Sequence, residues 1–89
     1  MVQVLRLEQN DILTIIQKVF KTSFEVDPLK VSLETRASDI EGWDSVGQLS
    51  LASELEDAFN ISLEVDEFMD MENVRDIVRI VQTKLAAKK

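Results

Sequence analysis

At 89 residues the chain is near the smallest size at which a domain buries a core of its own, so one domain over 1–89 is expected. It has no Cys, His or Tyr, which removes disulfides, thiolate chemistry, the commonest general base and the commonest metal ligands; an enzyme is not expected. The net charge of −7 speaks against nucleic acid. No apolar run reaches the roughly 18–20 residues of a membrane span, and the start does not read as a signal peptide, so a cytoplasmic protein without stable membrane insertion is expected.

One Pro and two Gly favour a few helices over many short strands. Met1–Leu7 has no clear cap and is expected to fray. Ile12, Ile15, Ile16, Val19 and Phe20 then form the stripe of a helix burying one face, widened by Leu13. The first helix is expected over Glu8–Thr22, with Asn10 or Asp11 as cap and Lys18 and Lys21 at the negative end of its dipole. The pattern breaks from Ser23 to Asp44, with Asp27-Pro28 as the stop. A connection of about twenty residues is long for a helical domain and must be pinned or functional; Leu29, Val31, Leu33, Ile40 and Trp43 are the candidate pins. Val31-Ser32-Leu33 has strand character but no obvious partner.

A second helix is expected over Ser45–Asn60, capped by Asp44 or Ser45. At about 100° per residue, Leu51, Ala52, Leu55, Ala58 and Phe59 fall on one arc, taken as the core face. Val46 and Leu49 fall almost opposite it, with Ser50, Ser53 and Asp57, and read as a docking patch. Ile61-Ser62-Leu63-Glu64-Val65 is expected to be a loop tucking its apolar members inwards. A short third helix follows over Asp66–Met71, capped by Asp66 and packed through Phe68, Met69 and Met71. Asn73 caps a fourth, with Val74, Ile77, Val78, Val81 and Leu85 as its stripe and 86–89 fraying. The fold class is all-α: a small four-helix bundle of three longer helices and a short third, with a long loop between the first two.

Charge is unevenly placed. From Ala37 to Val74 there are eleven acidic residues and no basic one. Such a field steers basic partners, or simply hydrates the surface. Asp66 and Asp70 share a helical face, but the glycine and ligand ladder of a calcium loop are missing, so no metal site is expected. Within the acidic segment lies Gly42-Trp43-Asp44-Ser45-Val46. A serine without a base is a weak nucleophile, so Ser45 is expected to be a helix cap or an attachment point modified by another protein, and no residue is expected to be catalytic.

The run Asp39-Ile40-Glu41-Gly42-Trp43-Asp44-Ser45-Val46, continuing without a gap to Phe59-Asn60-Ile61, resembles an acyl carrier protein. In that family an Asp-Ser-Leu motif opens the second helix, and the Phe fourteen residues after the serine and the aliphatic pair behind it recur, here as Phe59, Ile61 and Leu63. The resemblance implies 4'-phosphopantetheine attached covalently to Ser45 by a phosphopantetheinyl transferase. The resemblance makes Asp44 the motif neighbour, which in the family helps present the serine and interacts with the transferase's metal. It also implies a monomer holding acyl groups as thioesters for the acyl-loading and acyl-processing enzymes of fatty-acid, polyketide or related lipid synthesis. Their basic docking patches would meet Val46, Leu49, Glu54, Glu56 and Asp57. An aminoacyl or peptidyl carrier, or an unmodified acidic interaction module, are the alternatives. Val46 replaces the motif's Leu, and Gly47 and Ser50 stand where carriers of fatty-acid synthesis have acids, which points to a specialised member. Gly47 also costs the helix up to about 1 kcal/mol relative to alanine.

Overall fold

A computed structural model of the chain describes residues 9–87. Four helices follow one another: α1 (Gln9–Phe24), α2 (Ser45–Phe59), α3 (Val65–Met69) and α4 (Val74–Ala87). Among the described residues there is no strand, only an isolated antiparallel bridge between Arg36 and Asn73, and the four-helix, all-α architecture is the expected one. None of the described helices is long and apolar enough to cross a membrane.

The core is aliphatic because each long helix repeats apolar residues at the helical period. Ile12, Ile16, Val19 and Phe20 of α1 are buried, as are Val74, Ile77, Val78, Ile80 and Val81 of α4. From α2 come Leu51, Ala52, Leu55 and Phe59, closing the space between the other two. Ala58, expected on that face, is exposed: it lies at the rim of the arc in the last turn.

Several boundaries differ from expectation. The first helix runs past Thr22 to Phe24, whose ring packs edge-on against Phe20 at 5.3 Å and stabilises the extra turn. The chain then leaves through Glu25 at φ 57°, so the break precedes Pro28 rather than acting through it. Asn10 and Asp11 lie inside α1 instead of capping it, while 1–8 fall outside the described residues. At the other end of the bundle α2 stops at Phe59, and Asn60 caps it in the left-handed conformation (φ 56°) that asparagine tolerates. The third helix is earlier and shorter than 66–71. Its cap is Glu64, whose N–H donates to the Glu67 carboxylate at 2.8 Å, leaving Asp66 in the first turn. Val65 therefore starts a helix and is exposed rather than tucked inwards, as is Met69; only Phe68 and Met71 pack. Asn73 does cap α4, its side-chain oxygen accepting the Asp76 N–H at 2.8 Å, and α4 continues helical through the expected fraying at 86 and 87.

The long connection is pinned twice over. Val31, Ile40 and Trp43 are buried and Leu33 half-buried, but Leu29 is 88% exposed, because it sits in the one-turn 3-10 segment Pro28–Lys30, which turns it outwards. Polar pins do the rest. Gln17 of α1 donates to the Val31 carbonyl at 2.9 Å. The Ala37 N–H donates to the Glu72 carbonyl at 2.9 Å, and the Val74 N–H to the Thr35 carbonyl at 2.8 Å. The path of 31–43 is thereby fastened to α1 and to the start of α4, and it delivers the chain to the head of α2.

Candidate functional site

Asp44 caps α2. Its backbone is extended, its Oδ1 accepts the Gly47 N–H at 2.9 Å and its carbonyl accepts the Gln48 N–H at 2.8 Å. Ser45 is therefore the first helical residue, not the cap, and its side chain is exposed. Val46 (75% exposed) and Leu49 (58%) point away from the core, as the helical wheel requires.

Beneath the serine lies an aromatic cluster. Trp43 stands edge-on to Phe20 at 5.1 Å and stacks on Phe24 at 6.3 Å. Against it the incoming chain presses flat onto the first turn of α2. Gly42 adopts φ +95°, and a Cβ on Gly47 would come within 1.8 Å of the Gly42 carbonyl oxygen. Gly47 is thus not merely a weak helix residue: it is the space through which the loop reaches the serine.

Gln48 was not singled out by sequence, although its wheel position beside Leu55 places it on the inner face. It is buried. Its Oε1 accepts the Trp43 indole N–H, and its Nε2 donates to the carbonyls of Phe68 and of Met71, the latter at 3.0 Å. One amide thus ties the loop, α2 and the end of α3 together. Trp43, Asp44, Ser45, Gln48, Met69, Met71, Ala37 and Glu72 line a shallow recess of about 190 Å³.

The acids divide by role. Glu54 and Asp57 are exposed on α2, whereas Glu56 is half-buried and accepts the Leu63 N–H at 2.7 Å, so this carboxylate serves the loop. Glu67 bonds Lys84 of α4 at 2.8 Å; that hydrogen bond, with the one to the Glu64 backbone, holds its carboxyl below the ordinary 4.5. Asp66 and Asp70 are exposed, and among the described residues no cluster of three acids converges on one point as a metal site would.

Chemically, the site offers an accessible hydroxyl at the positive end of a helix, with a recess beside it. The positive end of the α2 dipole suits an anionic phosphodiester. The recess holds no His, Cys or Lys to activate the serine, and the Asp44 carboxylate beside it is engaged by the Gly47 N–H, so the geometry suits a hydroxyl that receives a group rather than one that attacks.

A family model described as a phosphopantetheine attachment site matches residues 10–81. The chain belongs to the acyl carrier protein family. Acyl carrier protein 2 of Ralstonia nicotianae is 28% identical over 81 residues, covering 91% of this chain and all of that one. The acyl carrier protein of Phytoplasma australiense is 30% identical over 71 residues, covering 80% of this chain and 93% of its own length. A solution structure of holo acyl carrier protein from Geobacter metallireducens superposes with a TM-score of 0.75 at 33% identity, covering 85% of this chain and 87% of that one. Acyl carrier proteins are carriers, not catalysts; they hold their cargo on covalent 4'-phosphopantetheine and work with a phosphopantetheinyl transferase and acyl-processing enzymes. The exposed hydroxyl, the helix N-terminus and the adjoining recess fit such an arm.

Proposed function

We propose that Ser45 carries the 4'-phosphopantetheine arm, and that the chain acts as a single carrier domain for acyl intermediates of a specialised fatty-acid, polyketide or related lipid pathway. The observation that carries this is the exposure of Ser45 as the first residue of α2 inside the family match over 10–81. The arm supplies a terminal thiol on which cargo is held as a thioester. The protein's own residues present it. Asp44 fixes the helix start and, being exposed, remains within reach of a metal held by the transferase. The dipole of α2 favours the phosphodiester.

Docking of basic partners rests on Val46, Leu49, Glu54 and Asp57. Glu56 contributes less, because its carboxylate is already engaged. Val65 and Met69 extend the apolar part of this surface: both are exposed and, four residues apart, share one face of α3. Acids set around an apolar centre raise association rates with a basic partner, and like-charged copies repel, which favours a monomer in the cytoplasm. A specialised pathway is supported by Gly47, where the close Gly42 carbonyl bars the acid found in fatty-acid-synthesis carriers, and by Ser50.

Incubation with a broad-specificity phosphopantetheinyl transferase and coenzyme A should add one arm by intact mass, and Ser45→Ala should abolish it. An unchanged wild-type mass, or addition that survives in the variant, would overturn the assignment.

A further inference from the structure

Gln48 and Ser45 line the same recess, and Gln48 is buried. The recess lies where Gln48 of α2 faces Met69 and the buried Met71, so an apolar chain hanging from Ser45 would reach the core by parting α2 from the end of α3. Gln48 stands across that way. Its carboxamide is held at three points, by the Trp43 indole N–H and by the carbonyls of Phe68 and Met71, and these belong to the loop and to both sides of the α3 C-terminus. A chain entering the seam must displace the amide and leave an indole N–H, two carbonyls and the carboxamide itself without partners among apolar groups. Each of those losses opposes entry. An aliphatic residue at this position would instead offer the incoming chain an apolar wall with no bonds to break.

We infer that Gln48 determines cargo class by keeping the α2–α3 seam shut, so that this carrier presents its acyl group outside the bundle and serves short or polar acyl groups rather than long apolar ones. The inference rests on attachment of the arm at Ser45. Long apolar chains then lie exposed on the surface, whereas short, hydroxylated or otherwise polar groups need no shelter. Gln48 touches neither the arm nor the thioester in this role; it acts through the position of α3.

The test loads the wild-type chain from acetyl-, octanoyl- and decanoyl-coenzyme A with the transferase, verifies each product by intact mass, and follows melting temperature and the emission of Trp43, the only tryptophan. The expected result is no rise in melting temperature and no shift of Trp43 emission with chain length. Gln48→Met, which nearly keeps the volume, and Gln48→Leu should each lower the melting temperature of the unloaded protein. They should also gain a rise of roughly 4 °C or more from acetyl to decanoyl, a dependence that loss of packing alone does not create. Chain-length stabilisation of the wild type would overturn the inference even if neither variant folds. Folded variants as insensitive to chain length as the wild type would equally overturn the role of Gln48. Failure of loading appears earlier, as an unchanged mass, and would remove the Ser45 assignment and this inference with it.

Discussion

The pair α1–α4 and the corner where α2 meets α3 are held together by different physics. The first is a seam of fully buried aliphatic side chains, with Ile12 and Ile16 from α1 and Val74, Ile77 and Val81 from α4 in one core. The corner keeps a few apolar contacts but relies on directed bonds: Gln48 to the carbonyls of Phe68 in α3 and of Met71 just beyond it, Glu56 to the Leu63 amide, and Glu67 of α3 to Lys84 of α4. It also leaves Val46, Leu49, Val65 and Met69 uncovered. Aliphatic packing is non-directional and cooperative, whereas a handful of polar bonds fixes one geometry and opens locally when any is lost. The serine stands on the second kind of structure, beside the uncovered Val46 and Leu49.

That contrast can be broken most heavily from the packed side. Ile77→Ala should destabilise the whole fold by about 2–5 kcal/mol, read as a lower urea midpoint with all probes moving together. Next comes the head of α2. Gly47→Ala is favourable by helix propensity, yet its Cβ would collide with the Gly42 carbonyl at 1.8 Å. Net destabilisation of about 1–3 kcal/mol is expected, with amide exchange rising first around 42–48; a more stable variant would show that the close approach does not matter.

The smallest effect sharpens the corner itself. Glu67 is held below its ordinary 4.5 by Lys84 first and the Glu64 backbone second, so its bonded form favours the folded state above that value. This contribution fades as pH falls below 4.5 through the lowered folded value, because protonation then releases Lys84. Wild type should exceed Glu67→Gln in stability at neutral pH, and the two should converge on acidification, with α3 amides the first to lose protection.

The same division explains what could be read from sequence. The stripes of α1, α2 and α4 predicted the helices and, within them, every buried residue except Gln48 and Ile80, because aliphatic periodicity alone specifies a packed face. The serine, its cap and the outward pair Val46 and Leu49 follow from the same wheel together with the Asp-Ser-Val run. What sequence missed depends on contacts between residues distant in the chain. Leu29 alternates like a pin but is turned out by a 3-10 turn. Met69 has the composition of a packing residue, yet α3 begins at Val65 and rotates it to the surface. Gln48 is polar on an inner face, a signal available from the wheel, but its three partners come from segments up to 23 residues away. Glu56 looked like one more surface acid, and only the position of Leu63 reveals what it holds.

The near-contact of Gly42 and Gly47 also limits how this carrier can be re-addressed. An engineer wishing to direct it to a different set of basic enzymes would first think of restoring an acid two residues after the serine, and that position admits no side chain without moving the entering loop. New charge has to be written at Ser50 or Ser53, both exposed on the face that bears Val46. Ser50 lies one helical turn beyond Val46 and Ser53 about two, so the vocabulary for retargeting is displaced along α2, away from the point of attachment.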